Sequence, residues 1–150
     1  MNLKIRKAKK TDAEGILNLI VELAKFEKLA PPDKKAQVRL IKDAFSPDPF
    51  FEILIALNGS KPVGYAFYFF TYSTFLAKRT LYLEDIFVSE KYRSSGIGEK
   101  LFGELIKIAK KKKCGRLDFT VLDWNKKAMK FYNRLGAKAL KEWVYYRLSL

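Results

Sequence analysis

Two adjacent carboxylates, Glu84 and Asp85, stand inside the otherwise hydrophobic stretch YLEDIFV. Successive side chains of a strand point to opposite faces, so we expect these two acids to lie in different surroundings. Partial burial raises the pKa of a carboxyl group, and such a group can take a proton from a substrate. The alternative is that both acids pair with some of the chain's 30 lysines and arginines.

A glycine-containing loop follows this stretch and leads into a helical pattern. Its residues are YRSSGIG, with Arg93, Gly96 and Gly98 at Arg-x-x-Gly-x-Gly spacing. The first N–H groups of a helix are unpaired and lie at the positive end of its dipole, so glycines there can bring them close to a phosphate. The pattern therefore predicts a phosphate-binding loop, although ordinary strand-to-helix turns have similar sequences.

Several other kinds of site are excluded by residue type. The chain has no Gly-Lys-Ser/Thr tripeptide, and a dinucleotide-binding loop would need a third glycine where Leu101 stands. With no histidine, His-based catalysis and His-ligated metal sites are impossible, and we expect no metal cofactor. The single cysteine, Cys114, follows a helix whose negative dipole end would raise its thiol pKa, which argues against a nucleophilic role.

The composition is that of one globular domain, which we expect to span residues 1–150. Its net charge of +14 indicates either an anionic partner or a lysine-rich surface of the heat-adapted type. One cysteine, no apolar run as long as the ~20 residues of a membrane span and no signal-peptide pattern together predict a cytoplasmic protein.

Periodicity predicts the order β-α-α-β-β-β-α-β-α-β, with a Thr11-x-x-Glu14 capping box before the first helix and a hairpin turn at Asn58-Gly59. Strand patterns occupy Arg116–Leu122 and Trp143–Leu150, and Gly136 is expected to end the last helix. Helices alternate with strands only near the end, which predicts an α/β fold whose sheet has parallel and antiparallel pairs.

The Gly loop and several longer segments resemble a known family. YRSSGIG is similar to the pyrophosphate loop of the GNAT superfamily of acetyl-CoA-dependent N-acetyltransferases. LIVELAKFE, FYFFTYSTF, LYLEDIFVSEKYRSSGIG, VLDWNKKAMKFYNRLGA and Glu142-Trp143 resemble the spermidine/spermine (diamine) N-acetyltransferase family over nearly the whole chain. The resemblance implies a mixed, mostly antiparallel central sheet flanked by helices, acetyl-CoA as cosubstrate, and a homodimer.

The resemblance also implies where the coenzyme binds. Its pantetheine arm would contact the backbone of strand residues Ile86, Phe87 and Val88, and its pyrophosphate the loop residues Arg93, Ser94, Ser95, Gly96, Ile97, Gly98 and Glu99. Further coenzyme contacts would fall on Asp118, Phe119, Thr120, Asn125, Lys126, Lys127 and Ala128. Asn125 is also expected to cap its helix.

The implied chemistry is the direct transfer of an acetyl group to a primary amine. Glu84 would be the base or the amine-orienting acid, and Tyr132 the general acid that protonates the departing thiolate. The acceptor would contact Phe26, Glu27, Glu84 and Asp85, although Phe26 and Tyr132 could equally be core residues. A backbone N–H between Ile86 and Val88, freed by a bulge, could stabilise the oxyanion.

The acceptor is expected to be a small diamine, polyamine or thialysine-like amino acid. Polyamine-acetylating members carry an acid and a tryptophan where Ser73 and Phe75 stand, and YSTF and VLDWN look more like the thialysine-acetylating branch. Two alternatives are a protein lysine or N-terminal acetyltransferase and a basic nucleic-acid-binding module. The second lacks any RNA- or DNA-binding motif, and membrane binding is not expected.

Overall fold

The computed structural model describes all residues from Met1 to Leu150, which form two compact units, 1–119 and 120–150. The first unit contains five strands and three helices. The strands are β1 (Leu3–Lys7), β2 (Glu52–Asn58), β3 (Lys61–Ser73), β4 (Lys78–Val88) and β5 (Arg116–Asp118). The helices are α1 (Ala13–Glu27), α2 (Lys34–Ala44) and α3 (Ile97–Lys111). The second unit contains α4 (Lys126–Arg134), followed by a chain without regular secondary structure.

The five strands form one sheet in chain order, antiparallel from β1 to β4 and parallel between β4 and β5. The predicted α/β class, with a mixed and mostly antiparallel sheet flanked by helices, is therefore confirmed. The Asn58-Gly59 turn also lies where its sequence predicts, with Gly59 at a φ of +62° between β2 and β3. Such a left-handed backbone favours glycine because it has no Cβ.

The core of the first unit lies against α1. Ile16, Leu19 and Ile20, spaced for one helix face, pack with Ile53, Ile55, Leu57, Tyr65 and Phe87 of the sheet. In β2, the five residues from Ile53 to Leu57 are all buried, so both faces of the sheet are covered there. Leu101 and Leu105 of α3 are fully buried, as their spacing predicts, and Gly64 lies close to Leu101.

Two strand predictions near the carboxyl end are wrong. Strand β5 ends at Asp118 rather than Leu122, and residues 143–150 form no strand. In the tail, the side chains of Trp143, Tyr145 and Tyr146 are 72%, 69% and 87% exposed. Aromatic and β-branched residues favour a strand only where a neighbouring strand completes the ladder, and residues 143–150 pair with none.

The start of α1 also differs from the prediction. A short 3-10 turn, Lys10–Asp12, precedes the helix, and Asp12 rather than Thr11 organises it. The Asp12 carboxylate accepts two hydrogen bonds from the Arg6 guanidinium, at 2.7 and 3.0 Å, and one from the Lys9 N–H at 2.7 Å. Arg6 lies in β1, so the pair joins the first strand to the first helix. The Arg6 hydrogen bonds lower the pKa of Asp12.

We expect Asp12→Asn to lower the free energy of unfolding by about 1.5–3 kcal/mol, the usual contribution of a hydrogen bond to a charged group. Because the folded-state pKa is lowered, this stabilisation is present above the unfolded pKa near ~4 and is lost as the pH falls below it. Urea unfolding at several pH values would show the difference between the two proteins closing in acid. Glu104→Gln, which breaks an exposed ion pair with Lys107, is the control and should have little effect.

None of the helices combines the length and the apolar composition that a membrane-spanning segment requires.

Candidate active site

Strand β4 has an open edge along its second half. Its pairing with β5 covers only Thr80 to Tyr82, whereas its pairing with β3 continues to Val88. The edge of residues 83–88 that faces away from β3 therefore has no strand partner. Peptide groups on such an edge can pair with the amides of an extended ligand, as an added strand would. Ile86, Phe87 and Val88 all lie on this edge.

The glycine loop lies between a 3-10 turn, Glu90–Tyr92, and α3. Two of its residues have a left-handed backbone, Ser94 with a φ of +61° and Gly96 with a φ of +79°. The helix begins at Ile97, so the N–H groups of its first turn point into the loop. No atom lies within 4 Å of where a Cβ on Gly96 would be, which leaves open space at this position. Unpaired N–H groups at such a helix start are suited to binding an anion.

The head group of Arg93 lies against α1. Its guanidinium carbon is 4.5 Å from the ring centroid of Phe26 and 5.3 Å from that of Phe87, and its Nε–H donates to the Val88 carbonyl at 3.1 Å. Arg93 thus fixes the start of the loop to the end of β4 and to the end of α1. A direct contact between Arg93 and the coenzyme stays a prediction.

The two acids of β4 lie in different surroundings, as their adjacency predicts. Glu84 is exposed, whereas Asp85 is half-buried and accepts a hydrogen bond from the Tyr65 hydroxyl at 3.1 Å. Burial raises the pKa of Asp85 to about 6, the Tyr65 hydrogen bond opposes this rise, and the charges of Glu84 and Glu27 add to it. Neither Glu84 nor Asp85 forms an ion pair with a lysine or arginine. The alternative that both acids are neutralised in this way is therefore wrong.

Glu27 brings a third carboxylate from the last turn of α1, and burial raises its pKa as well. Next to it, Phe26 packs against Phe87, with ring centroids 6.5 Å apart, and remains 38% exposed. The structure thus brings together all four predicted acceptor-side residues, Phe26, Glu27, Glu84 and Asp85, around Tyr65 and Phe87. The result is a local concentration of negative charge on a strongly basic protein.

The expected bulge is present but lies earlier in the strand. The register of β3 and β4 shifts between the pairs Phe67–Asp85 and Tyr68–Leu83, which leaves Glu84 without a partner. Ile86, Phe87 and Val88 pair regularly with β3, so a bulge within these three residues was a wrong prediction. A bulge re-aims the side chain that it carries, and here that side chain is the predicted base.

The remaining coenzyme-side residues fall into the two units. In the first, Asp118 pairs with Arg116 at 3.3 Å, and the ring of Phe119 packs edge-on against Phe102 at 5.8 Å. In the second, the Asn125 side chain caps α4 by accepting from the Ala128 N–H at 3.1 Å, as predicted. Thr120 is the first residue of the second unit, and Lys126 and Lys127 are exposed in the first turn of α4.

Tyr132 lies in α4, in the second unit, and its side chain is partly buried. Its ring packs edge-on against Phe131, with centroids 5.2 Å apart. The helix ends two residues later, at Arg134, and Gly136, just beyond the C-cap Leu135, has a φ of +92°. The ring is therefore held by a short capped helix, an arrangement that fits either a core residue or a positioned acid.

Sequence reasoning missed Tyr65. Its stretch, PVGYAFYFF, looks like an ordinary buried strand, and its side chain is fully buried. The available signal was a hydroxyl at a core position, since a buried hydroxyl needs a hydrogen-bond partner. The thiol pKa of Cys114 is raised, as predicted, but the main cause is burial rather than the helix dipole.

Comparisons with known proteins agree with this geometry. Residues 17–137 match the acetyltransferase (GNAT) family. The chain is 41% identical to the thialysine N-epsilon-acetyltransferase of Mus musculus, an alignment that covers 97% of this chain and 92% of the relative. It is 44% identical to the Bos taurus enzyme of the same name, covering 92% and 85%. An integron cassette protein from the mobile metagenome of V. cholerae superposes with a TM-score of 0.81 at 28% identity, covering 99% and 93%.

Proposed function

Because the chain belongs to the GNAT family and is an acetyl-CoA-dependent N-acetyltransferase, we propose that it acetylates a primary amine of a thialysine-like amino acid or a short diamine. The observation that carries the proposal is the group of three carboxylates, Glu27, Glu84 and Asp85, with no lysine or arginine paired to the two on β4. An uncompensated negative patch attracts an ammonium group even though the whole protein repels cations. Short-range attraction outweighs the long-range repulsion, which salt screens within about 10 Å.

The coenzyme would bind along β4 and at the start of α3. Its pantetheine amides would pair with the open edge at Ile86–Val88, and its pyrophosphate would accept N–H hydrogen bonds from the loop, residues 94–99. Lys126 and Lys127 of α4, together with Asn125 and Ala128, are the coenzyme contacts proposed in the second unit. The net charge of +14 then favours the approach of the polyanionic coenzyme.

In the proposed reaction, Glu84 takes a proton from the acceptor ammonium, directly or through water. The neutral amine attacks the thioester carbonyl, the carbon–sulfur bond breaks, and Tyr132 protonates the departing thiolate. The second amine proton replaces the one lost by Tyr132, so each turnover gives an amide, coenzyme A and one released proton. The released proton is the one that Glu84 returns to water.

Two features of the β3–β4 hairpin bear on which amine is used. Ser73 is buried, and its hydroxyl accepts a hydrogen bond from the Leu76 N–H at 3.1 Å. Phe75 at the tip is 98% exposed. Neither residue adds a carboxylate for a further ammonium group, and a free carboxylate on the acceptor suits a basic surface. Both points favour an amino acid over a long polyamine.

A homodimer and a cytoplasmic location stay predictions.

The experiment is a steady-state panel with acetyl-CoA and six acceptors, namely thialysine, lysine, putrescine, spermidine, spermine and a lysine-containing peptide. We expect the highest kcat/KM with thialysine or putrescine and at least about tenfold less with spermine, a difference of roughly 1.4 kcal/mol in transition-state binding. Highest efficiency with spermine would overturn the acceptor assignment. Reaction with the peptide alone would show a protein acetyltransferase instead.

A further inference from the structure

One carboxylate of the proposed acceptor site is fixed from within the core. Tyr65 lies on β3 opposite Phe87, so Asp85, two residues before Phe87 on β4, is its diagonal neighbour on the same face of the sheet. The Tyr65 side chain is 0% exposed and packs in the core cluster under α1. Its hydroxyl therefore has one fixed direction, toward Asp85 Oδ2 at 3.1 Å.

The charged groups around this pair come from β4, from α1 and from the start of the glycine loop. Glu84 is the neighbour on β4, Glu27 comes from the end of α1, and the Arg93 guanidinium lies over the Phe87 ring. Arg93 donates to the Val88 carbonyl and forms no ion pair with Asp85. The only hydrogen bond that a side chain donates to Asp85 thus comes from a neutral phenol. The two nearby carboxylates raise the pKa of both partners.

Building on the proposed function, we propose that Tyr65 is a positioning residue that keeps Asp85 ionised, and that this charge beside Glu84 is required to hold the acceptor ammonium. Asp85 exchanges no proton during turnover, because Glu84 is the group that accepts it. When Asp85 is protonated, the site loses one of its three negative charges and the ammonium is bound less tightly. Tyr65 thereby extends the reaction to lower pH without touching substrate.

The first test compares pH profiles of kcat/KM for thialysine at saturating acetyl-CoA, between about pH 5 and pH 9. The wild-type profile should fall below a pH of about 6, where Asp85 becomes protonated. Tyr65→Phe removes the donor that favours the ionised form of Asp85. The fall in kcat/KM at low pH, the acidic limb of the profile, should therefore begin about one pH unit higher. A hydrogen bond to a charged group contributes about 1.5 kcal/mol, which corresponds to about one pKa unit. At pH 5 the variant should be about tenfold less efficient, and near pH 8 the two should agree.

The chain offers a closely matched control in Tyr68. Tyr68 is also fully buried on β3, and its hydroxyl also donates to a carboxylate, that of Glu52 on β2, which is not among the charges that act on Asp85. Tyr68→Phe should leave the acidic limb where it is. If both variants move the limb equally, the effect is a general loss of packing and the role assigned to Tyr65 is overturned.

A second measurement separates this role from the proposed function. Carboxyl carbon NMR of the protein without substrate follows Asp85 directly, with Asp85→Asn to assign its signal. The Asp85 pKa should be higher in Tyr65→Phe, and the acidic limb should move with it. A raised Asp85 pKa with an unmoved limb, or an unchanged pKa, would refute the role while leaving the transferase reaction intact. If no amine in the panel is acetylated, the proposed function fails and this role fails with it.

Discussion

Tyr132→Phe is expected to lower kcat by about 10²–10⁴-fold, the usual contribution of a general acid, while acetyl-CoA binding changes little. The reason is that a phenol, with an ordinary pKa near ~10, can protonate a departing thiolate and a phenylalanine ring cannot. The substitution removes one oxygen and keeps the ring that packs against Phe131, so α4 should keep its structure. The loss should therefore appear in the rate and not in binding.

Steady-state kinetics with both substrates saturating would measure kcat, and calorimetry would measure acetyl-CoA affinity. Tyr145→Phe is the control, since Tyr145 is another tyrosine of the second unit and is 69% exposed. That variant should behave as wild type. A kcat of Tyr132→Phe close to the wild-type value would show that Tyr132 is a packing residue and that another group protonates the thiolate.

The second large effect is expected at the glycine loop. Gly96 has a φ of +79°, a backbone conformation that costs a residue with a Cβ about 1–2 kcal/mol. Valine there should reshape the loop and turn the first N–H groups of α3 away from the coenzyme pyrophosphate. Losing one such charge-assisted hydrogen bond costs about 1.5–3 kcal/mol, so Gly96→Val should weaken acetyl-CoA binding by about 10–100-fold.

Gly59→Val provides the matched control for backbone strain. Gly59 has a φ of +62° in the β2–β3 turn, and, as at Gly96, no atom lies within 4 Å of an added Cβ. Both variants should lose similar stability in thermal unfolding, but only Gly96→Val should lose affinity in calorimetry. Unchanged affinity in a folded Gly96→Val protein would remove the loop from the coenzyme site. If both variants bind acetyl-CoA equally weakly, the loss of affinity is a consequence of lost stability and not of the loop.

Local sequence patterns determined most of the elements of this protein. The helical spacing of Ile16, Leu19 and Ile20, the Asn58-Gly59 turn, the Asn125 cap and the Gly136 stop each act within a few residues, and the structure has all of them. The glycine loop also has its predicted local order, a strand, then a glycine with a left-handed backbone, then a helix. The chemical class followed from longer segments, because the match to the acetyltransferase family extends over residues 17–137.

Only the tertiary structure decided what surrounds the two acids. Tyr65 and Asp85 are 20 residues apart, and they meet because of the β3–β4 register, which includes the irregularity at Glu84. A one-residue change of register would move either side chain to the other face, and no local pattern specifies that choice. Residues 143–150 show again that local patterns do not decide pairing, because they have the composition of a strand but pair with no other strand. Pairing between distant segments is a property of the whole fold, and it decides which acid is exposed and which is held by a buried phenol.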